Sequence, residues 1–205
     1  LLLKEKNNLS KLKEIKISPQ VEAFGEMDGV SYLLTSFEHG VSFDKFSISD
    51  LNFNIRSIAN HLSYLHEYTQ KEKDFCLKSF CEDYLSRIDP EYVFGEELYE
   101  ELKSSKKFKN FVGFYPKIKE KIFTQCESID SKISSLCHLN LDSSKILYRD
   151  GQIKFINFHN SRECDPLLDL ALTCFHLKLT ENNHILNIFL NQYLSSHRKI
   201  NLNEN

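Results

Sequence analysis

The sequence predicts an α+β fold in which two β-hairpins flank a long, mainly helical segment. The first observation is a pair of Asp-Gly dipeptides, Asp28-Gly29 and Asp150-Gly151, each lying between two runs of β-type residues, which is the pattern of a tight hairpin turn. The second is a change after Gly40 from a hydrophobic period of two residues to one of about 3.6. The third is composition, because 205 residues with 41% apolar side chains can form a substantial core.

The N-terminal third of the chain contains a helix, the first hairpin and the start of a second helix. Residues 1–17 carry Leu and Ile at helical spacing among Lys and Glu, and this pattern predicts an amphipathic helix that ends before Pro19. The runs 21–24 and 30–37 predict the two strands of the hairpin. The following helix is predicted to bury one apolar face, made of Ile55, Ile58, Leu62 and Leu65.

The remainder of the chain is predicted to be helical around a second hairpin. Further helices are expected at residues 71–88, 95–106, 113–129 and about 181–198. The second hairpin is expected to pair 145–149 with 152–158. One more helix begins at Asp165-Pro166, because an Asp can cap free N–H groups and Pro suits the first helical position.

Charge and cysteine content exclude several classes of function. The 26 basic and 29 acidic residues give a formal charge of -3, which provides no general attraction to nucleic acid or to an anionic membrane. The longest nearly apolar stretch, 167–179, is interrupted by charged residues and is shorter than the roughly 20 residues of a membrane span. Six scattered cysteines without a C-x-x-C pair indicate reduced thiols. We therefore expect a cytoplasmic protein whose partner is a small molecule or another protein. Because the chain does not begin with Met, we expect a fragment or a processed chain.

Three sequence blocks occur in a fixed order and carry a family resemblance. Residues 137–148 read Cys-His-Leu-Asn-Leu-Asp-Ser-Ser-Lys-Ile-Leu-Tyr, residues 155–158 read Phe-Ile-Asn-Phe, and residues 164–171 read Cys-Asp-Pro-Leu-Leu-Asp-Leu-Ala. In order and spacing they resemble the aminoglycoside phosphotransferase and choline kinase family, whose pattern is H-G-D-x-x-x-x-N, then I-D-[FW], then G-D-P-x-x-D-L-A. Upstream, residues 32–40 resemble the family's last N-terminal strand and hinge, and residues 58–66 resemble its A-x-x-L-x-x-L-H helix.

The resemblance implies a protein-kinase-like fold with a mainly helical C-terminal lobe and a truncated N-terminal-lobe sheet. Residues 1–37 would be the remnant of the N-terminal lobe, and residues 38–205 would form the C-terminal lobe. A helical insertion at 69–130 would contact substrate. The family uses ATP and Mg²⁺, and by the same resemblance its nucleotide hinge corresponds to Ser36, Phe37 and Glu38.

The charged groups that the family uses for phosphoryl transfer are replaced in this sequence. Asn140 stands at the position of the catalytic base, and its amide cannot take up a proton. Lys145 and Asn157 stand at the two metal-ligand positions, so an ammonium and a neutral amide replace oxygen ligands of Mg²⁺. We therefore expect no cofactor and weak magnesium binding.

Residues that hold the loop in the family are retained. The resemblance implies that His138 supports the loop backbone and that Asp165 and Asp169 are structural, Asp165 as a helix cap. We expect Asp169 to be buried and bonded to backbone N–H groups near His138. The other histidines show no metal-ligand spacing, and we interpret them as ordinary surface or helix residues.

The favoured function is that of a catalytically inactive relative of small-molecule phosphotransferases, a pseudokinase that acts by binding or regulation. The alternative is an active small-molecule kinase with displaced groups, in which Asp142 would act as the base and Lys145 as a fixed cation, or with the rest of its N-terminal lobe elsewhere. No Gly-rich loop or strand lysine precedes Val21. A third alternative is a decayed product without a selected activity.

Overall fold

The computed structural model describes residues 2–46, 48–87, 98–102, 105, 106, 108, 115–117, 120–122, 124 and 130–196. The chain divides into two compact units. One unit consists of Leu1–Glu72 and Ile133–Asn205, and the other of Lys73–Lys132. All the residues of the candidate site belong to the first unit.

Helices and short strands follow one another along the described part of the chain. The elements before the second unit are α1 (Leu2–Lys11), β1 (Val21–Met27), β2 (Val30–Thr35), β3 (Val41–Ser42) and α2 (Ile48–Thr69). The chain enters the second unit through β4 (Lys71–Cys76) and α3 (Leu77–Arg87) and leaves it through β5 (Asp130–Cys137). The elements that follow are β6 (Ile146–Arg149), β7 (Gln152–Phe155), β8 (Arg162–Cys164), α4 (Pro166–His176) and α5 (Asn183–Ser196).

Both predicted hairpins are confirmed. β1 pairs with β2 in antiparallel register up to Met27 opposite Val30, and β6 pairs with β7 up to Arg149 opposite Gln152. Both residues of each connecting Asp-Gly turn have a positive φ, which the right-handed twist of a two-residue hairpin requires. The short strand β3 joins the second hairpin to give the order β3-β6-β7, and a third sheet has the order β4-β5-β8.

The core of the first unit lies between α2 and α5 and the adjoining strands. All four residues of the predicted apolar face of α2 have no exposed surface, so that prediction is confirmed. Full burial of a side chain of this size stabilises the fold by about 1.5–3 kcal/mol relative to its exposure. α2 packs along α5, which contributes the fully buried Phe189 and Tyr193.

The helix predicted at 71–88 is wrong over its first turns. Residues Lys71–Cys76 form strand β4, and helix α3 begins only at Leu77. The strand lies at the edge of the β4-β5-β8 sheet, so its conformation depends on a partner more than fifty residues away in the sequence. Residues 98–102 of the predicted helix 95–106 and residues 115–117 of the predicted helix 113–129 are helical. Much of both predicted helices lies outside the described residues.

Several predicted element ends also differ, among them that of β2, which ends at Thr35 and not at residue 37. α1 ends at Lys11 rather than at residue 17, yet Leu12, Ile15 and Ile17 remain buried because the chain turns back onto the core. The carbonyl of Ile17 accepts a hydrogen bond of 2.8 Å from the N–H of Phe155, which fixes this turn against β7. The strand predicted to reach residue 158 ends at Phe155. Within the described residues, no helix combines the length and apolar character needed to cross a membrane.

Candidate functional site

Helix α4 begins where the sequence predicts and places Asp169 in its first turn. The Asp165 carboxylate accepts a hydrogen bond of 2.7 Å from the N–H of Leu167, and Pro166 occupies the first helical position. The cap fixes where the helix starts and therefore which way the fully buried side chain of Asp169 points.

Asp169 holds the backbone of the loop that follows β5. Its Oδ2 accepts a hydrogen bond of 2.7 Å from the N–H of His138, and its Oδ1 accepts one of 2.7 Å from the N–H of Leu139. Leu139 has a φ of 63°, a left-handed conformation that is costly for a bulky residue. The contact expected for Asp169 is therefore present, and it fixes a strained backbone.

His66 and Tyr193 complete the surroundings of Asp169. The Nε2–H of His66 donates to Asp169 Oδ2 at 2.9 Å, and Nδ1 of His66 lies 2.7 Å from the Tyr193 hydroxyl. Burial raises the pKa of Asp169, but the hydrogen bond and charge of His66 outweigh this effect and hold the pKa below its ordinary value. We call Asp169, His66, Tyr193 and the backbone of His138 and Leu139 the buried hub.

The interpretation of His66 as an ordinary helix residue is wrong. Its side chain is fully buried, and both ring nitrogens are engaged in the hub. The signal that could have found it was the resemblance of residues 58–66 to the family's A-x-x-L-x-x-L-H helix.

Three potential metal ligands also meet at the hub. Donor atoms of His66, Cys137 and Asp169 lie within 4.8 Å of one another. The imidazole and the carboxylate already bond each other and further hub groups. Burial raises the pKa of the Cys137 thiol well above its ordinary value, so the thiolate that would bind a metal is disfavoured. The arrangement therefore suits a structural role.

Lys145 is tied to the same loop by its side chain. Its ammonium donates to the Asn140 carbonyl oxygen at 2.9 Å and to Asp142 Oδ2 at 2.8 Å. Partial burial raises the pKa of Asp142, but hydrogen bonds from Lys145 and Ser144 prevail and hold that pKa below its ordinary value. Asp142 is therefore an ionised partner of Lys145.

Asn157 lies directly after the segment that His138 supports. The Nε2–H of His138 donates to the Ile156 carbonyl at 2.9 Å, and burial lowers the pKa of His138, which favours its neutral form. Asn157 has a φ of 69°, a conformation that Asn tolerates well, and its Oδ1 accepts a hydrogen bond from Nδ1 of His159.

The three predicted hinge residues line a cavity of about 660 Å³. The Ser36 hydroxyl donates to Glu38 at 2.7 Å and accepts from the N–H of Gln20 at 2.8 Å. The other oxygen of Glu38 forms an ion pair with Lys154. Phe37 is 80% exposed at the rim of the cavity.

The structure brings together some of the predicted site residues but not all of them. Asn157 lines the cavity with the hinge, whereas Asn140 and Lys145 meet each other and are not among its lining residues. Sequence reasoning missed Glu5 and Leu9 of α1, which also line the cavity. Their i, i+4 spacing is the signal that places them on one helix face.

Comparison with known proteins shows that the chain shares its fold with solved structures of low sequence identity. No protein family matches the sequence, and no curated protein does. An aminoglycoside phosphotransferase of Streptomyces rimosus, in complex with ADP and streptomycin, has 20% identity and a TM-score of 0.61, and the match covers 96% of this chain and 79% of that one. An aminoglycoside-3'-phosphotransferase of type VIII has 21% identity and a TM-score of 0.62, with 94% and 72% covered.

A choline kinase from Cryptosporidium parvum has 14% identity and a TM-score of 0.61, over 95% of this chain and 62% of that one. The agreement spans nearly the whole chain, although the sequence identity is low in every case. The chain therefore has the protein-kinase-like fold that these small-molecule phosphotransferases share.

Proposed function

We propose that this protein is a catalytically inactive relative of small-molecule phosphotransferases and acts as a binding or regulatory module. The observation that carries the proposal is the Lys145 ammonium, which bonds the Asn140 carbonyl and the Asp142 carboxylate. By the sequence resemblance, Lys145 stands at a metal-ligand position. An internal cation there repels Mg²⁺ instead of coordinating it.

The remaining donors do not fit a magnesium site either. Asn157 offers one neutral amide, whose oxygen already accepts a hydrogen bond from His159. Mg²⁺ is usually held by one or two carboxylates together with substrate phosphates. Phosphoryl transfer depends on that ion to neutralise charge in the transition state, so this donor set argues against turnover.

A displaced base is also disfavoured. The candidate base is Asp142, but one oxygen of its carboxylate accepts from Ser144 and the other from Lys145. A carboxylate whose pKa lies below its ordinary value is a weak general base.

The test is an assay of ADP formation from ATP and Mg²⁺ with streptomycin and choline as trial acceptors. We expect no acceptor-dependent turnover, while the Streptomyces rimosus phosphotransferase with streptomycin serves as positive control. Turnover by the parent chain that is lost in Asp142→Asn or Lys145→Ala would contradict the proposal and would establish an enzyme with displaced groups.

A further inference from the structure

We propose that the cavity beside the hinge binds an organic cation with an apolar body, in preference to an anionic nucleotide. This inference rests on the proposed function, because it concerns binding without phosphoryl transfer. It follows from the size of the cavity, from its lining and from the charges that face it.

The cavity has the dimensions and the apolar surface of a small-molecule site. Its volume of about 660 Å³ lies within the range of roughly 300–1,000 Å³ that is usual for such sites. Most of the lining comes from apolar side chains that can surround a hydrocarbon or aromatic body, namely Leu9, Pro19, Leu34, Phe37, Leu147, Ile156 and Phe158.

The charged side chains that line the cavity are both acidic. They are Glu5 and Glu38, and no Lys, Arg or His occurs among the lining residues that the structure describes. Glu38 is already compensated, because it pairs with Lys154 and accepts from the Ser36 hydroxyl. The negative charge available to a ligand is therefore that of Glu5.

Helix α1 holds Glu5 in place. Asn8 of the same helix donates to the Ser161 carbonyl at 2.9 Å and to the Ser161 hydroxyl at 3.0 Å, which anchors the helix on the core. Leu9, one turn after Glu5, lines the cavity with it. Within the described part of the chain, the Glu5 carboxylate has no hydrogen-bond or ion-pair partner. It is thus a fixed anion beside an apolar surface.

Three cations near the hinge, Lys145, Lys154 and Arg149, are themselves paired with carboxylates. The ammonium of Lys145 is paired with Asp142. A second cavity of about 320 Å³ shares Phe37 and Glu38 with the first, and its lining includes Lys154, Arg149 and His39. There Lys154 pairs with Glu38, and Arg149 lies 3.3 Å from Asp150. Among the lining residues that the structure describes, a phosphate group would meet the Glu5 carboxylate and no cationic side chain, whereas an ammonium group would be attracted.

The test uses three probes that share one body and differ in charge: 4-phenylbutylamine, 4-phenylbutan-1-ol and 4-phenylbutyrate. Their dissociation constants are measured at neutral pH and low salt by protein-observed NMR. We expect the amine to bind about fivefold more tightly than the alcohol, which is the upper range for one partly exposed ion pair. We expect the butyrate to bind more weakly than the alcohol, and ADP, with or without Mg²⁺, more weakly than the amine.

A matched pair of variants assigns the effect to one carboxylate. Glu5→Gln keeps the shape of the side chain and removes its charge, so the ratio of amine to alcohol affinity should fall to about one. Glu26→Gln removes an exposed carboxylate on the first hairpin that does not line the cavity, and it should leave the ratio unchanged. Thermal unfolding of both variants checks that the fold is retained.

Two results would overturn the inference. One is tighter binding of 4-phenylbutyrate or ADP than of the amine. The other is an amine preference that is absent in the parent or that persists in folded Glu5→Gln. Neither depends on turnover, so a failure here is distinguishable from acceptor-dependent ADP formation, which would overturn the proposed function.

Discussion

The buried hub and the loop surface beside it contain the same kinds of polar group but use them differently. In the hub, the Asp169 carboxylate satisfies two backbone N–H groups and the ring of His66. On the loop, Asn140 offers a backbone carbonyl and Asp142 a carboxylate, and both are satisfied by Lys145 of the same loop. Holding a loop in shape and giving it a reactive charge are therefore separate tasks, which fall to different residues.

The largest effect should come from breaking the hub. Asp169→Ala removes the acceptor for His138, Leu139 and His66, all in a fully buried setting. Leaving these buried donors unpaired costs about 1–3 kcal/mol in the free energy of unfolding. Urea denaturation of parent and variant measures this change. Asp142→Ala, on the partly exposed loop, is the control and should cost less than about 1 kcal/mol. Equal costs for the two variants would remove the distinction between hub and loop.

The next effect should come from restoring charge on the loop. The triple variant Asn140→Asp, Lys145→Asn, Asn157→Asp introduces two carboxylates and removes one ammonium. We expect magnesium to bind at least about tenfold more tightly than to the parent, a gain of about 1.4 kcal/mol. Titration calorimetry measures the affinity, with Asn140→Asp alone as the control. A folded triple variant with the magnesium affinity of the parent would show that these three positions do not determine metal binding.

The smallest effect should come from a partly exposed carboxylate, that of Glu163, which is held by two lysines. Glu163 accepts from Lys11 at 2.9 Å and from Lys71 at 3.0 Å, and these hydrogen bonds lower its pKa to about 2. Because its pKa in the folded state is depressed, Glu163 stabilises the fold above its ordinary pKa of 4.5, and this contribution is lost as the pH falls from 4.5 to about 2.

Glu163→Gln should therefore lower the free energy of unfolding at pH 7 by less than about 1 kcal/mol, since the lysines are largely exposed. Denaturant unfolding at several pH values should show the difference between parent and variant shrinking below pH 4.5. If the difference in free energy of unfolding between parent and variant grew as the pH fell, the two lysines would not be what lowers the pKa of Glu163. The comparison between the buried hub and this partly exposed carboxylate would then not hold.

The sequence predicted those parts of the fold whose conformation depends on local chemistry. The two Asp-Gly turns and the Asp165 cap are such features, and all three are present. Strand β4 was mistaken for helix because its edge position is set by distant strands of its sheet. The end of α1 was missed because Leu12, Ile15 and Ile17 keep an apolar pattern through turns that are not helical.

Prediction of the candidate site was limited in the same way. The motif spacing indicated where Asp169 would bond, because the resemblance relates it to the loop at His138. It could not show that Lys145 bonds Asp142 and Asn140, since that contact depends on the path of a short loop. The unpartnered Glu5 could not be recognised either, because its position depends on how α1 packs against residues about 150 positions later.

The long sequence separations within the hub bear on how the protein folds. The hydrogen bond of His66 to Asp169 spans 103 residues, and its contact with Tyr193 spans 127. Contacts of this kind close large loops and lose much chain entropy before they stabilise anything. We therefore expect the hairpins and helices to form first and the hub to close late on the folding pathway. Changes in the hub should then accelerate unfolding much more than they slow folding, so the hub governs the lifetime of the assembled loop.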